Sequence, residues 1–314
     1  MSAGKWTAEQ MPSQSGKTIL VTGANSGIGY QAALELARHG AHVILGCRSA
    51  AKGHAAVEQL RRESPGAAAE LAVLDIASLA SIRAFAAEFL TRERPLDVLV
   101  NNAGVMALPR REVTADGFER QFGTNHLGHF ALTGLLMPAL LKTRAPRVVT
   151  VASLAHRNGR IDFANLQSER GYKPWDAYNA SKLANLLFAR ELDRRAREAG
   201  WPLISVAVHP GVSRTKIVSN GPGANGLKAI VLNVVAPVLM QSEAMGALPT
   251  EYAATMPDVR GGEYIGPDGF KELKGYPTVV QPRPQALDEP TGRKLWEISE
   301  QLTGVVYPST SRVG

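Results

Sequence analysis

The chain has 314 residues, 45% of them hydrophobic and 20% charged, with a formal net charge of +7. That length and composition suit one large α/β domain or two smaller ones around a substantial core, and no run of about 18 apolar residues offers a membrane-spanning helix. Cys47 is the one cysteine, which excludes an internal disulfide and a cysteine-based metal site, and the basic residues are scattered in short pairs such as Arg61-Arg62 and Arg194-Arg195, a solvated surface rather than a nucleic-acid patch.

Residues 1–15 read as an extension: Thr7 and Gln10 are spaced to cap one helical turn, and Trp6 is placed to pack on the body. The stretch Met1 to Lys17 is polar, without signal-peptide or anchor character, and a reducing cytoplasm is the simplest compartment. Lys17 to Thr22 is a buried strand. Gly23-Ala24-Asn25-Ser26-Gly27-Ile28-Gly29 then opens a helix that runs to Gly40, and Ala41 to Gly46 is a second strand. In this strand–turn–helix–strand setting Gly23 permits the tight turn, Gly27 lets the backbone approach a pyrophosphate, and Gly29 lets helix and strand pack closely. The helix N-terminus offers free N–H groups and the positive dipole end to phosphates, so Asn25, Ser26 and Ile28 belong to the same cofactor site.

The end of the second strand selects the cofactor. A carboxylate there would bind the ribose 2′-OH of NAD, and an arginine suits the 2′-phosphate of NADP. The strand ends Gly46-Cys47-Arg48-Ser49 with no acid, so Arg48 points to NADP(H) over NAD(H).

The alternation repeats with a helix over 50–63 and a strand from Glu70 to Leu74. Asp75-Ile76 either places a carboxylate and an N–H beside adenine or makes a turn or N-cap; the pattern leaves both open. After a helix from Leu79 to Arg92 comes the strand Asp97 to Val100, with Asn101-Asn102-Ala103-Gly104 at its carboxyl end, where open parallel sheets bind ligands. A long helix covers Phe118 to Leu141, and Asn125 inside it suggests a local irregularity or a polar task. His126 and His129 in that helix have packing spacing and no metal-ligand pattern; no metal site is expected. Pro146 to Ser153 is the fifth strand, followed by a loop over 154–176 and a long helix that ends near Gly200.

Tyr178 and Lys182 lie four apart at the start of that helix, one turn from each other on one face. A phenol ionises near pH ~10, and working near neutrality needs ~3 units, about 4 kcal/mol. An ammonium ~5 Å away at an effective dielectric of ~20 supplies about 3 kcal/mol, and a second cation such as an oxidised nicotinamide would supply the rest. An ordinary amphipathic helix produces the same spacing by chance, so the rest of the chain has to decide.

Pro202 to Val208 is the sixth strand, followed by His209-Pro210-Gly211-Val212. Regular periodicity then stops. Residues 212–262 hold the apolar stretch 227–239 and a helix from Ser242 to Tyr252; Glu263 to Gly266 is a short last strand, and a proline-rich tail over 271–314 carries a helix near Thr291 to Leu302.

Together, Thr22-Gly23-(x)3-Gly27-Ile28-Gly29, Asn101-Asn102-Ala103-Gly104, Asn125, Ser153, Tyr178-(x)3-Lys182 and Pro210-Gly211 resemble the short-chain dehydrogenase/reductase family over about residues 16–270. Thr124-Asn125-His126-Leu127-Gly128-His129-Phe130, Ser181-Lys182-Leu183-Ala184-Asn185 and His209-Pro210-Gly211-Val212 look most like its retinol dehydrogenase, WW-domain oxidoreductase and protochlorophyllide reductase branch. The lone Cys47 lies at the adenosine end, unlike the active-site cysteine of protochlorophyllide reductases, and neither an N-terminal anchor nor a WW module is expected. The resemblance implies a single doubly wound Rossmann-like α/β domain over 16–314 with about seven parallel strands. It implies Tyr178 as the proton donor or acceptor, Lys182 holding the nicotinamide ribose, Ser153 as a hydrogen-bond donor to the substrate oxygen, and Asn125 holding a water linked to Lys182. Asp75, Ile76, Asn102, Ala103, Gly104, Pro210, Gly211, Val212 and Thr215 would complete the cofactor site. It further implies a substrate lid over 212–262, a small lipophilic carbonyl or alcohol substrate, no nucleic-acid partner, no stable membrane insertion, and a homodimer or homotetramer; core packing or an oligomer contact is an equal reading of the apolar stretch 227–239. A cofactor-sensing protein on the same fold is the rival reading, and such proteins typically lack the Tyr/Lys pair. A membrane-peripheral use of 227–239 is a third, weakened by Lys228 and Asn233.

Overall fold

A computed structural model describes residues 5–213 and 241–308. Eight strands form its one sheet: β1 (Thr18–Thr22), β2 (His42–Cys47), β3 (Ala69–Val73), β4 (Val98–Asn101), β5 (Arg147–Val151), β6 (Ile204–Val208), β7 (Tyr264–Pro267) and β8 (Pro277–Val279). Their order is β3-β2-β1-β4-β5-β6-β7-β8. The first seven in chain order run parallel, and β8 is antiparallel to β7. The sequence expects about seven strands because Pro277 breaks the pattern of the eighth. A proline is tolerated on an edge strand, where its missing N–H leaves no ladder bond unmade, and β8 is that edge.

Parallel neighbours need crossovers, and the helices supply them. They are α1 (Gly27–Arg38), α2 (Ala50–Glu63), α3 (Leu79–Thr91), α4 (Arg120–Phe122), α5 (Gly128–Leu140), α6 (Pro174–Ala199), α7 (Glu243–Thr255) and α8 (Glu289–Thr303). Alternate strand residues serve opposite faces. Ile19, Val21, Val43 and Val100 pack with Leu34 of α1, Leu60 of α2 and Leu248 of α7. Leu20, Ile44, Leu99 and Val148 pack with Phe89 of α3, Leu136 of α5, Phe188 of α6 and Trp296 of α8. Burial on both faces is the reason the strands read as continuous apolar runs. Trp6 is buried, with its ring edge-on to Tyr252 of α7 at 5.3 Å. Among the described residues no helix is long and apolar enough to cross a membrane.

The long helix expected over Phe118 to Leu141 is divided. The Glu119 carboxylate accepts from the N–H groups of Gln121 (3.0 Å) and Phe122 (2.7 Å), which sets the start at Arg120. A π turn over Gly123–Leu127 then separates α4 from α5 and contains Asn125. Such turns place one extra residue in the helix and re-aim the side chains around it. Gly128, next in line, is pressed on Ile76: a Cβ there would collide with the Ile76 carbonyl oxygen and lie 2.7 Å from its Cγ2. The sheet order reverses between β1 and β4, and a crevice opens outside their carboxyl ends.

Gly128→Ala is therefore expected to cost about 2–3 kcal/mol in urea unfolding, because the obstacle is backbone rather than a movable side chain. A loss below the error of the measurement would show that the contact relaxes freely.

Candidate active site

A cavity of about 920 Å³ follows the carboxyl edge of the sheet, from the end of β2 past the β1–α1 turn to the first turns of α6. Gly23 and Gly27 have φ of +68° and +65°, left-handed values that side-chain-bearing residues avoid. A Cβ on Gly27 would meet only a Glu243 carboxylate oxygen, at 3.8 Å, so the outer side of the turn is open. A Cβ on Gly29 would strike the Asn102 amide and lie 2.7 Å from the Gly23 carbonyl oxygen, so that glycine serves close packing. Asn102 Nδ2 donates to the Thr22 carbonyl at 2.7 Å and fastens the end of β4 to β1. Ser26 makes no side-chain cap on α1. The open turn and the uncapped helix start fit an anionic diphosphate, held by backbone N–H groups and the helix dipole.

At the β2 end Arg48 is exposed, and among the described residues no ion pair claims it. Lys52, also exposed, lines the same part of the cavity from the first turn of α2, and Ser49 caps that helix by accepting from the Lys52 N–H at 3.4 Å. Lys52 was not singled out in the sequence, although its place one turn after Arg48 is a usable signal. Asp75 makes a turn: its Oδ1 accepts from the Ala77 N–H at 2.9 Å while its own N–H donates to Ser81 Oγ at 3.0 Å. It lines the cavity with Ile76 as well, so the turn and a ligand contact coexist.

At the other end Ser153, Tyr178 and Lys182 converge on the cavity. Ser153 follows β5 closely, and its hydroxyl lies beside the Tyr178 phenol, where it favours the ionised form. Lys182 is 5% exposed, and its Nζ donates to the Val151 carbonyl at 2.9 Å. The ammonium lies 5.9 Å from the centre of the Tyr178 ring. Burial brings the Lys182 pKa down to about 8. Burial likewise pushes the Tyr178 phenol up to about 12, against the lowering effect of the Ser153 hydroxyl. The sequence leads one to expect Lys182 to lower that phenol; in the folded chain desolvation is the dominant effect, and the opposing one comes from Ser153. Asn125 stands behind the cavity wall. Its amide donates to the Val105 carbonyl and to Ser181 Oγ, each at 2.9 Å, and its Oδ1 accepts from the Val105 N–H at 2.8 Å. A Cβ on Gly104 would lie 3.1 Å from Asn125 Oδ1 and 3.8 Å from Lys182 Nζ, so both atoms border one small space.

Pro210, Gly211 and Val212 line the cavity, and the Val212 N–H donates to the Leu273 carbonyl at 2.8 Å. Thr215 and the apolar stretch 227–239 lie outside the described residues. Sequence reasoning missed apolar lining residues, among them Met106, Leu154, Trp175 and Leu273. Trp175 is 52% exposed with its ring edge-on to Tyr178 at 6.0 Å, as the spacing i, i+3 on one helix would suggest. Leu273 has no such signal, since it is brought in by the return of the tail to form β8. His126 sits among Phe122, Phe130 and Phe188, and no cluster of metal-ligating side chains occurs among the described residues.

A family model described as short chain dehydrogenase matches residues 17–223. The chain is 44% identical to retinol dehydrogenase 14 of Mus musculus over 304 residues, which covers 93% of this chain and 87% of that protein. It is 42% identical to retinol dehydrogenase 13 of Homo sapiens over 298 residues, covering 94% and 86%. Among solved structures, an uncharacterised protein from Mycobacterium Paratuberculosis matches with a TM-score of 0.81 at 42% identity, covering 97% of this chain and all of that one. An NAD(P)-dependent gluconate 5-dehydrogenase from Beutenbergia cavernae, with NADP bound at low occupancy, matches with a TM-score of 0.60 at 27% identity, covering 77% and 91%.

The buried Lys182 carries a cost to folding that its removal should expose. Its pKa in the folded chain lies near 8 against 10.5 for the free side chain. Below pH 8 the folded state must bury a cation; between about 8 and 10.5 the unfolded state binds the extra proton and stability rises with pH. Lys182→Met should therefore raise the unfolding free energy at pH 7 by about 1–3 kcal/mol, a gain that shrinks as pH climbs through this window. Asn185 Nδ2 still donates to the Val151 carbonyl, at 3.1 Å, after the change. Chemical denaturation at pH 7 and pH 10 checks both parts, and a variant less stable than the parent at pH 7 would refute the premise.

Proposed function

The chain belongs to the short-chain dehydrogenase/reductase family, in its retinol-dehydrogenase-like branch, and on that footing we propose an NADP(H)-dependent oxidoreductase acting on lipophilic aldehydes, ketones or the corresponding alcohols. The family makes it a hydride-transfer enzyme of alcohol and carbonyl groups. The observation that carries the finer reading is the cavity's two ends: the Ser153–Tyr178–Lys182 group at one, and Arg48 with Lys52 at the other.

Bound NADPH supplies the hydride. Gly23, Gly27 and the first turn of α1 would hold its diphosphate. Arg48 and Lys52 would meet the extra phosphate, the arginine as a planar fork and the lysine as a point charge. Tyr178 is protonated at neutral pH, its phenol being held near 12 by burial, which is the form that gives a proton to a carbonyl oxygen in reduction. Ser153 donates a hydrogen bond to the same oxygen and stabilises the charge that develops on it. Lys182 would hold the nicotinamide ribose and, while charged, favour the ionised phenol. Asn125, through the space it shares with Lys182, is the group we assign to holding a water there. Oxidation of an alcohol needs the phenolate, so that direction gains as pH rises.

The substrate class rests on the apolar lining at the reaction end, Met106, Leu154, Trp175 and Leu273, and on the names of the relatives. Asn158 and Asn179 also line the cavity, and beside them these four side chains offer the apolar surface on which the bulk of a substrate would rest. We place the enzyme in the reducing cytoplasm, where its free Cys47 is at home.

Tyr178→Phe should retain NADPH affinity and lose about 10²–10⁴-fold in turnover; undiminished turnover would remove the phenol from the proton step. Arg48→Ala should cut the NADPH/NADH ratio of kcat/KM by about ten- to a hundredfold, the value of a charged hydrogen bond. A preference for NADH in both forms would overturn the NADP(H) assignment. A screen of NADPH oxidation against retinal, long-chain aldehydes, steroids and quinones addresses the substrate, and silence across it with intact NADPH binding would favour the cofactor-sensing alternative.

A further inference from the structure

His129 lies in the first turn of α5, directly after the π turn, and is 1% exposed. It does not line the cavity. Its hydrogen bonds can nevertheless be assigned atom by atom. Nδ1 lies 3.0 Å from the main-chain oxygen of Asn125. A carbonyl only accepts, so Nδ1 carries the hydrogen. Burial holds the ring far below its usual pKa, at about 4, so Nε2 is a bare acceptor near neutrality. Nε2 lies 2.9 Å from Thr22 Oγ1. That oxygen already accepts from the N–H groups of Asn102 and Ala103, both at 2.9 Å. Its lone pairs are thus taken, and its one hydrogen points to Nε2, closer than the Val100 carbonyl at 3.3 Å.

The imidazole joins two walls. On one side Thr22 holds the Asn102–Ala103 backbone, which lines the cavity. On the other, Asn125 is fastened to Val105 and to Ser181, the neighbour of Lys182. We propose that His129 is a positioning residue of the cofactor cleft, its ring spanning the Asn125 carbonyl and the Thr22 hydroxyl and so fixing the spacing between the Asn102–Ala103 wall and the Lys182 wall. Its binding consequence rests on the dinucleotide reading of this cleft; its consequence for the backbone does not. A buried donor–acceptor pair of this kind is costly to leave half-made, so loss of the ring's polar atoms is transmitted to the groups it holds.

The test compares the parent with His129→Phe, which keeps the ring volume without its polar atoms, and His129→Gln, whose amide carries a donor and an acceptor at similar spacing. Amide hydrogen exchange of the protein without added nucleotide is read at Asn102 and Ala103, with Val148 and Val149 as internal controls. NADPH affinity is measured by fluorescence titration. His129→Phe should speed exchange at Asn102 and Ala103 by about fivefold or more relative to the controls, and weaken NADPH binding by about the same factor. His129→Gln should stay within about twofold of the parent in both readouts. Uniform acceleration at all four amides with unchanged NADPH affinity would mean that His129 is only part of the core, and equal defects in Phe and Gln would also refute the role. If His129→Phe does not fold, nitrogen NMR of the parent decides. The Nδ1–H tautomer should persist from pH 5 to 8 and shift on NADPH addition; an Nε2–H tautomer, or a signal indifferent to NADPH, overturns the proposal. Should the parent bind neither NADPH nor NADH, the functional reading fails, and the exchange measurement still decides the role of His129 in holding the backbone.

Discussion

The ammonium of Lys182, almost fully buried with Nζ 2.9 Å from the Val151 carbonyl, is the interaction on which the site depends. A cation is brought to that depth only where a main-chain oxygen is already in place, and the end of β5 provides it. The same strand end leads directly into Ser153, whose hydroxyl meets the Tyr178 phenol. Helix α6 then completes the arrangement, because Tyr178 and Lys182 are one turn apart and both are carried to the carboxyl edge of the sheet. One strand end thus sets the position of the hydroxyl donor, the phenol and the ammonium together.

Burial also sets their charges, and it acts on the two in opposite senses. It disfavours the charged form of each, so the ammonium loses its proton more readily and the phenol holds its own more tightly. A Coulomb argument from spacing alone treats the pair as if both were in a uniform medium. In the folded chain desolvation is the first cause of both shifts. A charge that enters the cleft beside them would act on the protonation of both groups.

The cleft is held by segments far apart in the chain. Thr22, in the last position of β1, organises the backbone of Asn102 and Ala103 from 80 and 81 residues away, and His129 reaches it across 107. On the opposite side the tail returns to close the site. His209 bonds Glu272 at 3.0 Å, Glu272 pairs with Arg157 at 2.7 Å, and the Leu273 carbonyl receives the Val212 N–H. Lys271 and Glu272 have φ of +52° and +61°, a conformation that costs about 1–3 kcal/mol per residue and persists because such surrounding bonds over-determine it.

Much of this was legible in the residues. The apolar runs of the strands, the glycine turn, the placement of Asn102 to Gly104 and Ser153 at strand ends, and the pairing of Tyr178 with Lys182 are local patterns. They follow from backbone sterics and from the periods of helix and strand, which a chain displays before it folds. The irregularity at Asn125 was visible as a polar residue in a helix, but its form as a π turn was not. The edge strand β8, the arrival of Leu273 at the cavity, the partners of His129 and the direction in which burial moves Tyr178 were set by packing. Each depends on desolvation or on a contact between segments tens of residues apart, and neither quantity exists until the helices close on both faces of the sheet.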